Sequence, residues 1–274
     1  LIRNLRRMSW LIVYLFGASP RAHASFFGDR LPRERHDRAV SLRMSRVGYT
    51  NAQHCRVWIP LDNARRFAQE LARATRVRCP KLRHPVFDRA GRQIQVSDAP
   101  FQLESEYYAV IRPKQVARGD ESLSRAILRR GIGYVEVRAL DCDPLAPAGV
   151  TREELFFCET LLLYCMAAGP APLDRRAADE AQANHNRVGL RGRDPGLELE
   201  LDGHAVPLSR AAREQLAAME PAAEILDRAH ATSVYTATLA AQREKLLEPA
   251  MLPAARFLLR GGRDFLVGCR DLAE

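Results

Sequence analysis

The sequence predicts an α+β protein, with strands gathered in the first half and helices in the second. Three observations carry this. Residues 132–141 alternate side to side like a strand. Thr151 stands three residues before Glu154 and opens a long apolar-periodic segment, a capping-box start for a helix that stops at Gly169-Pro170. Residues 208–246 are rich in Ala and Leu, broken only near Pro221.

Taken in order, residues 4–16 read as a buried amphipathic helix ending at Gly17, with Pro20 beyond. Residues 41–47 alternate like a strand. Residues 61–76 read as a helix, with Leu61, Ala64, Ala68, Leu71 and Thr75 on one face. Residues 85–97 read as a hairpin turning at Asp88 to Gly91, and residues 101–112 as a further strand. A short helix is expected at 121–130, then the strand at 132–141. Residues 170–183 read as a polar linker, residues 184–196 as a Gly-rich loop, and residues 252–260 as a last helix.

A chain of 274 residues with 47% hydrophobic and 27% charged content belongs to the ordinary folded class, neither fibrous nor disordered. The net charge of +9 points to an anionic partner or to a solvated, Arg-rich surface. Of the 42 basic residues, all but Lys81, Lys114 and Lys245 are Arg. No basic run is interleaved with aromatics, so no nucleic-acid partner is expected. The six cysteines form no CxxC pair and no zinc spacing; free thiols in a reducing, cytoplasmic compartment are expected. Arg3, Arg6 and Arg7 before the apolar run Trp10 to Phe16, and then Ala22-His23-Ala24, outline a secretory leader. The run is short and fits the first helix instead. Position 1 is Leu, so the chain is expected to begin mid-protein. No stretch reaches transmembrane length, and no membrane partner is expected.

Chemistry concentrates in four segments. On the strand 132–141, Tyr134, Glu136 and Arg138 share one face. A solvated charge pair fits this pattern, and so does a site where Glu136 holds a hard cation and Arg138 grips a phosphate. In 104–114, Glu104, Glu106, Tyr108, Val110 and Arg112 share a face, and Pro113 and the rare Lys114 follow. In 41–51, Arg43 could fork a carboxylate, and Gly48 permits a turn that presents Tyr49. Residues 184–196 read as a polar, Gly-rich loop that could contact a nucleotide, though P-loop and Rossmann spacings are absent. His185 reads as a loop residue rather than a metal ligand.

These blocks, in this order, resemble bacterial glutamate–cysteine ligase, also called γ-glutamylcysteine synthetase. The resemblance runs through Trp10 to Pro20, Ser41-Leu-Arg-Met-Ser45, Gly48-Tyr-Thr-Asn51, Glu104 to Lys114, Tyr134-Val-Glu-Val-Arg-Ala-Leu-Asp141 and Asn184 to Gly196. It implies part of a glutamine-synthetase-like catalytic fold, an antiparallel sheet funnel backed by helices, with a helical C-terminal half. Residues 1–204 then form the partial catalytic domain, and residues 205–274 a helical region of the same fold.

The activity implied is ATP-dependent joining of the glutamate γ-carboxylate to the cysteine amine through a γ-glutamyl phosphate, the first step of glutathione biosynthesis. By resemblance, Glu136 is a ligand for Mg2+ (or Mn2+), Arg138 stabilises the transferred phosphoryl group, and Arg43 serves glutamate. Tyr49 and Tyr108 belong to the cysteine pocket. Arg112, Lys114, Asn184, Asn186 and Arg187 stand near the nucleotide or the sheet wall. A monomer is expected when the chain is complete.

The family also has a large N-terminal portion with further glutamates, so this chain alone is expected to be inactive or nearly so. The alternative is a truncated, non-catalytic relic that binds anions or partners. Ala139, Asp143 and Gln115 depart from the family's Ser, Asn and Arg.

Overall fold

The computed structural model describes residues 1–26, 37–48, 55, 57–82, 85–170, 172–260 and 267–270. Helix α1 (Ile2–Phe16) is the central element. Its Leu11, Ile12 and Leu15 have no measurable exposure, the expected fate of an apolar stripe packed on several sides. Helix α2 (Ala64–Ala74) starts where the Asn63 side chain accepts a hydrogen bond from the Arg66 N–H.

Strand β1 (Ile111–Lys114) and strand β2 (Tyr134–Val137) pair antiparallel, joined through helix α3 (Leu123–Arg130). Helix α4 (Arg152–Ala167) begins at Thr151, and both halves of its capping box with Glu154 are made. Helix α5 (Arg175–Arg191) is capped by Asp174. Strands β3 (Glu198–Leu201) and β4 (His204–Pro207) form a hairpin. Asp202 and Gly203 both take positive φ at its turn, the geometry a two-residue hairpin loop demands. Helices α6 (Leu208–Ala218), α7 (Glu220–His230), α8 (Val234–Leu247) and α9 (Pro253–Arg260) follow.

One buried cluster draws on residues from Leu5 in α1 to Ala254 in α9. A second, smaller one joins Phe67 and Leu71 of α2 to Phe101, Tyr107 and Ile127. The α+β class predicted from the sequence is observed, and helices α1 to α4 and α6 to α9 fall where they were expected. Among the described residues, no helix is long and apolar enough to cross a membrane.

Several expectations are corrected. Apart from a single bridge from Ser41 to Ser19, residues 41–47 form turns rather than a strand. The Ser41 hydroxyl accepts from the Met44 N–H, and the Ser45 hydroxyl donates to the Leu42 carbonyl. Such local bonds offer the backbone an alternative to a ladder. Of the strand expected over 101–112, only its end enters β1. Glu104–Glu106 form a 3-10 turn, from which the Glu104 carboxylate accepts the Ser124 N–H at the start of α3. The 85–97 hairpin does form, but it is short: Gly91 closes the turn on the Asp88 carbonyl with positive φ, and the Ile94 N–H bonds the Val86 carbonyl beside a single Phe87–Gln93 bridge.

The linker and loop expected over 170–196 are largely α5. Its polar composition hid a buried face of Ala177, Ala181, Asn184, His185 and Val188. The hairpin β3–β4 was not anticipated. Cys55 and Cys79 form a disulfide with a Cα–Cα distance of 6.1 Å, whereas all six thiols were expected free. Cys142, Cys158, Cys165 and Cys269 are free.

Candidate functional site

The register of β1 on β2 places Arg112 opposite Glu136 and Lys114 opposite Tyr134. Side chains directly opposite share a face, so one surface collects Arg112, Lys114, Tyr134 and Glu136, with Arg138 just past the end of β2. The Glu136 carboxylate is bracketed by two cations. Its Oε2 lies 3.3 Å from Lys114 Nζ, and its Oε1 lies 3.3 Å from Arg138 Nε. All three side chains are part-exposed, at 24–35%, so the cluster faces open space.

The chain stays in the ladder for one more bond, from the Arg138 N–H to the Val110 carbonyl. The Arg138 guanidinium sits 5.6 Å from the centre of the Tyr108 ring, within cation–π range. The Tyr108 hydroxyl lies 3.3 Å from Met44 Sδ. Arg112 is the floor. It is 3% exposed, its Nη atoms reach the Glu104 and Ser105 carbonyls at 3.4 and 3.5 Å, and its Nε has no acceptor in the protein. Burial pushes its pKa down, and the neighbouring Arg138 charge adds to that, while Glu136 opposes it.

Asp141 organises the edge of this face. It is buried, and its Oδ2 accepts from the N–H groups of Ala18 and Ser19 at 2.9 and 3.0 Å and from the Ser19 hydroxyl at 2.7 Å. Its Oδ1 takes Arg43 Nη1 at 3.1 Å, and the same nitrogen donates to the Leu140 carbonyl at 2.9 Å. Arg43 Nη2 reaches the Arg138 carbonyl at 3.5 Å. Arg43 is thereby fixed to the segment that follows Arg138. A Cβ on Gly48 would collide with the Arg43 carbonyl, so the tight turn expected there does require glycine. Tyr49 lies outside the described residues.

Asn184, Asn186 and Arg187 lie elsewhere. Asn184 donates to the Glu200 carbonyl at 2.6 Å and accepts the Glu200 N–H at 2.9 Å, and Arg187 donates to the Glu198 carbonyl at 3.2 Å. They clamp the β3–β4 hairpin to α5. Asn186 accepts from Gln182 along the same helix.

Sequence reasoning missed two positioning residues. One is Asp141, whose partners are more than ninety positions away. The other is His185, a buried helical residue rather than a loop residue. Its Nδ1 pairs with the Ser9 hydroxyl at 2.9 Å, and it bonds the backbone of Met44. It thus ties α1 and α5 to the turn that touches Tyr108.

Burial depresses the His185 pKa to about 4, aided by the Arg6 charge and opposed by the Met44 bond. The folded form therefore holds a neutral imidazole while the unfolded chain takes up a proton near its usual value. Stability from this source is complete above about pH 6.5 and is lost as pH falls through 4, by about 3 kcal/mol in all. Urea denaturation across that window should show a shallower pH slope for His185→Gln than for the parent. Equal slopes would remove the assignment.

The set does not build a metal site alone. Both Glu136 oxygens meet cations, and the described residues contain no group of three or more His, Cys, Asp or Glu that could hold an ion. Mg2+ prefers about six oxygen ligands. What the face does offer is three cations arranged for spread negative charge, the requirement of a phosphoryl site.

Residues 1–188 match the family model described as glutamate-cysteine ligase. The chain belongs to the glutamate–cysteine ligase family. It is 39% identical to the glutamate–cysteine ligase of Janthinobacterium sp. (strain Marseille) over 272 residues, covering 94% of this chain and 50% of that protein. It is 35% identical to that of Alcanivorax borkumensis, with 94% and 52% covered. The chain thus spans about half the length of the curated relatives it matches.

Among solved structures, the Francisella tularensis glutamate–cysteine ligase in complex with AMP superposes with a TM-score of 0.88 at 28% identity, over 99% of this chain and 55% of that one. A bifunctional glutathione synthetase from Pasteurella multocida shares the fold, with a TM-score of 0.70 at 19% identity, over 99% of this chain and 30% of that one. The fold expected from the resemblance is therefore the family's own.

Proposed function

We propose that this chain carries part of the catalytic face of an ATP-dependent ligase joining the γ-carboxylate of glutamate to the amine of cysteine through a γ-glutamyl phosphate, the first step of glutathione biosynthesis. The observation that carries the reading is the Lys114–Glu136–Arg138 constellation on one side of β1–β2, within a chain of this family. Transfer of a phosphoryl group is mostly positioning and neutralisation of charge.

Arg138 supports the transferring group with its terminal nitrogens while Glu136 holds its Nε. Lys114 and Arg112 raise the local positive potential at the nucleotide side. Arg43, oriented by Asp141 and the Leu140 carbonyl, serves the glutamate side. Tyr108 walls the cysteine pocket, and Tyr49 joins it by resemblance. Asn184 and Arg187 act from the wall, by holding the hairpin, and Asn186 stands beside them on α5.

Glu136 is proposed as one ligand for the Mg2+ that would accompany ATP, the other ligands coming from outside these residues. On that ground the 274-residue chain alone is proposed to be inactive or nearly so. We place the protein in the cytoplasm, as a monomer at full family length. The Cys55–Cys79 disulfide is unusual for such a compartment.

The second reading is a non-catalytic relic that binds anions or partners; the lone carboxylate of the cluster favours it. A chain extended to full family length should release ADP and form γ-glutamylcysteine only when ATP, glutamate and cysteine are all present. No such product, with phosphate still bound at the Arg138 face, would select the relic.

A further inference from the structure

One sulfur atom sits between the two amino-acid sides of the candidate site. Met44 belongs to the turn at 41–48 and is 2% exposed. Its Sδ lies 3.3 Å from the Tyr108 hydroxyl and 3.0 Å from Arg43 Nη1. In the proposed reading Arg43 serves glutamate and Tyr108 walls the cysteine pocket, so a single thioether touches both.

Met44 is held from several directions. Its N–H donates to the Ser41 hydroxyl at 3.1 Å, and its backbone is bonded by His185, which in turn pairs with Ser9. It shares a buried cluster with Val110 and Ile111, where the chain enters β1, and with Ala139, next to Arg138. The sulfur therefore occupies a fixed place relative to the site strands.

The two contacts differ in consequence. Arg43 Nη1 also reaches the Leu140 carbonyl at 2.9 Å and Asp141 Oδ1 at 3.1 Å. Oxygen is a stronger acceptor than a thioether, so Arg43 keeps its place without the sulfur. A phenol has one proton to donate, and Tyr108 donates it to Met44. That bond fixes the hydroxyl end of a ring whose centre lies 5.6 Å from the Arg138 guanidinium.

We propose that Met44 is a positioning residue for the cysteine pocket: its sulfur sets the tilt of the Tyr108 ring, and through that ring the affinity for cysteine. The proposal rests on the ligase reading and deepens it.

The test is steady-state kinetics of the full-length protein as Met44→Leu, Tyr108→Phe and the double variant. Leucine conserves volume and apolar character but supplies no acceptor. Met44→Leu is expected to raise the cysteine KM about three- to tenfold, with the glutamate and ATP KM values within about twofold of the parent. Tyr108→Phe should give a similar rise. The double variant should be no worse than either single one, because both remove the same bond. A role confined to packing would lower Tm and leave this split and this non-additivity unseen.

A cysteine KM within about twofold of the parent in Met44→Leu, equal rises for cysteine and glutamate, or additive rises in the double variant would overturn the proposal and leave the ligase reading standing. Were Met44→Leu not to fold, an unchanged cysteine KM in Tyr108→Phe would overturn it alone. Failure of the parent to form γ-glutamylcysteine would instead remove the ligase reading, and this role with it.

Discussion

Arg138→Lys, in a chain of full family length, is expected to lower kcat by about 10²- to 10³-fold with little change in Tm. The geometry explains why a conservative change does so much. Arg138 Nε is committed to Glu136 at 3.3 Å, and its ring contact with Tyr108 sets the plane of the fork. The two terminal nitrogens are then aimed by contacts they do not themselves make. Lysine has one nitrogen, which can meet Glu136 or a phosphate oxygen but cannot hold both in a plane. The loss should fall on kcat rather than on KM, since the contact strengthens only as charge spreads in the transition state. Steady-state kinetics read this directly, and a kcat within a few-fold of the parent would remove Arg138 from the chemistry.

Asp141→Ala is expected to destabilise the fold by about 3–5 kcal/mol. The substitution strips one acceptor from two backbone N–H groups and the Ser19 hydroxyl, and leaves Arg43 without its carboxylate. Ala18 and Ser19 follow the end of α1, and Asp141 follows β2, so one side chain joins the core helix to the site strand. Chemical denaturation should show the loss as a lower midpoint with an unchanged slope. Asp141→Asn keeps an acceptor oxygen and should lose less. A midpoint unchanged in Asp141→Ala would mean that the Ala18–Ser19 segment is held by other contacts.

The contrast between α4 and α5 shows what the sequence made legible. Helix α4 announced itself through local chemistry: Thr151 and Glu154 satisfy each other's backbone. Helix α5 has a sound cap at Asp174, but its inward face carries Asn184 and His185. Those residues are inside because the Glu200 backbone and Ser9 satisfy them, and no local pattern records partners that distant. The turn at 41–48 failed as a strand for the opposite reason. Its serines bond too close to home, and alternation on paper does not weigh that competition.

The candidate site divides in the same way. That Glu136 and Arg138 share a face follows from the pleat alone. That Lys114 joins them follows from the register, which sets Lys114 opposite Tyr134 and depends on the α3 connection. Asp141 came only with the structure, because a buried carboxylate among backbone donors looks like any other Asp in a linear chain. The Cys55–Cys79 pair is similar, since a separation of 24 residues matches no motif.

The role of the Lys114–Glu136–Arg138 face is tested most directly by a structure of the full-length protein with ADP, glutamate and aluminium fluoride, a mimic of the transferring phosphoryl group. The account predicts the fluoride cluster within about 3 Å of an Arg138 terminal nitrogen, on the same side of β1–β2 as Glu136. A cluster seated on the opposite side of that sheet, or beyond the reach of Arg138, would contradict it.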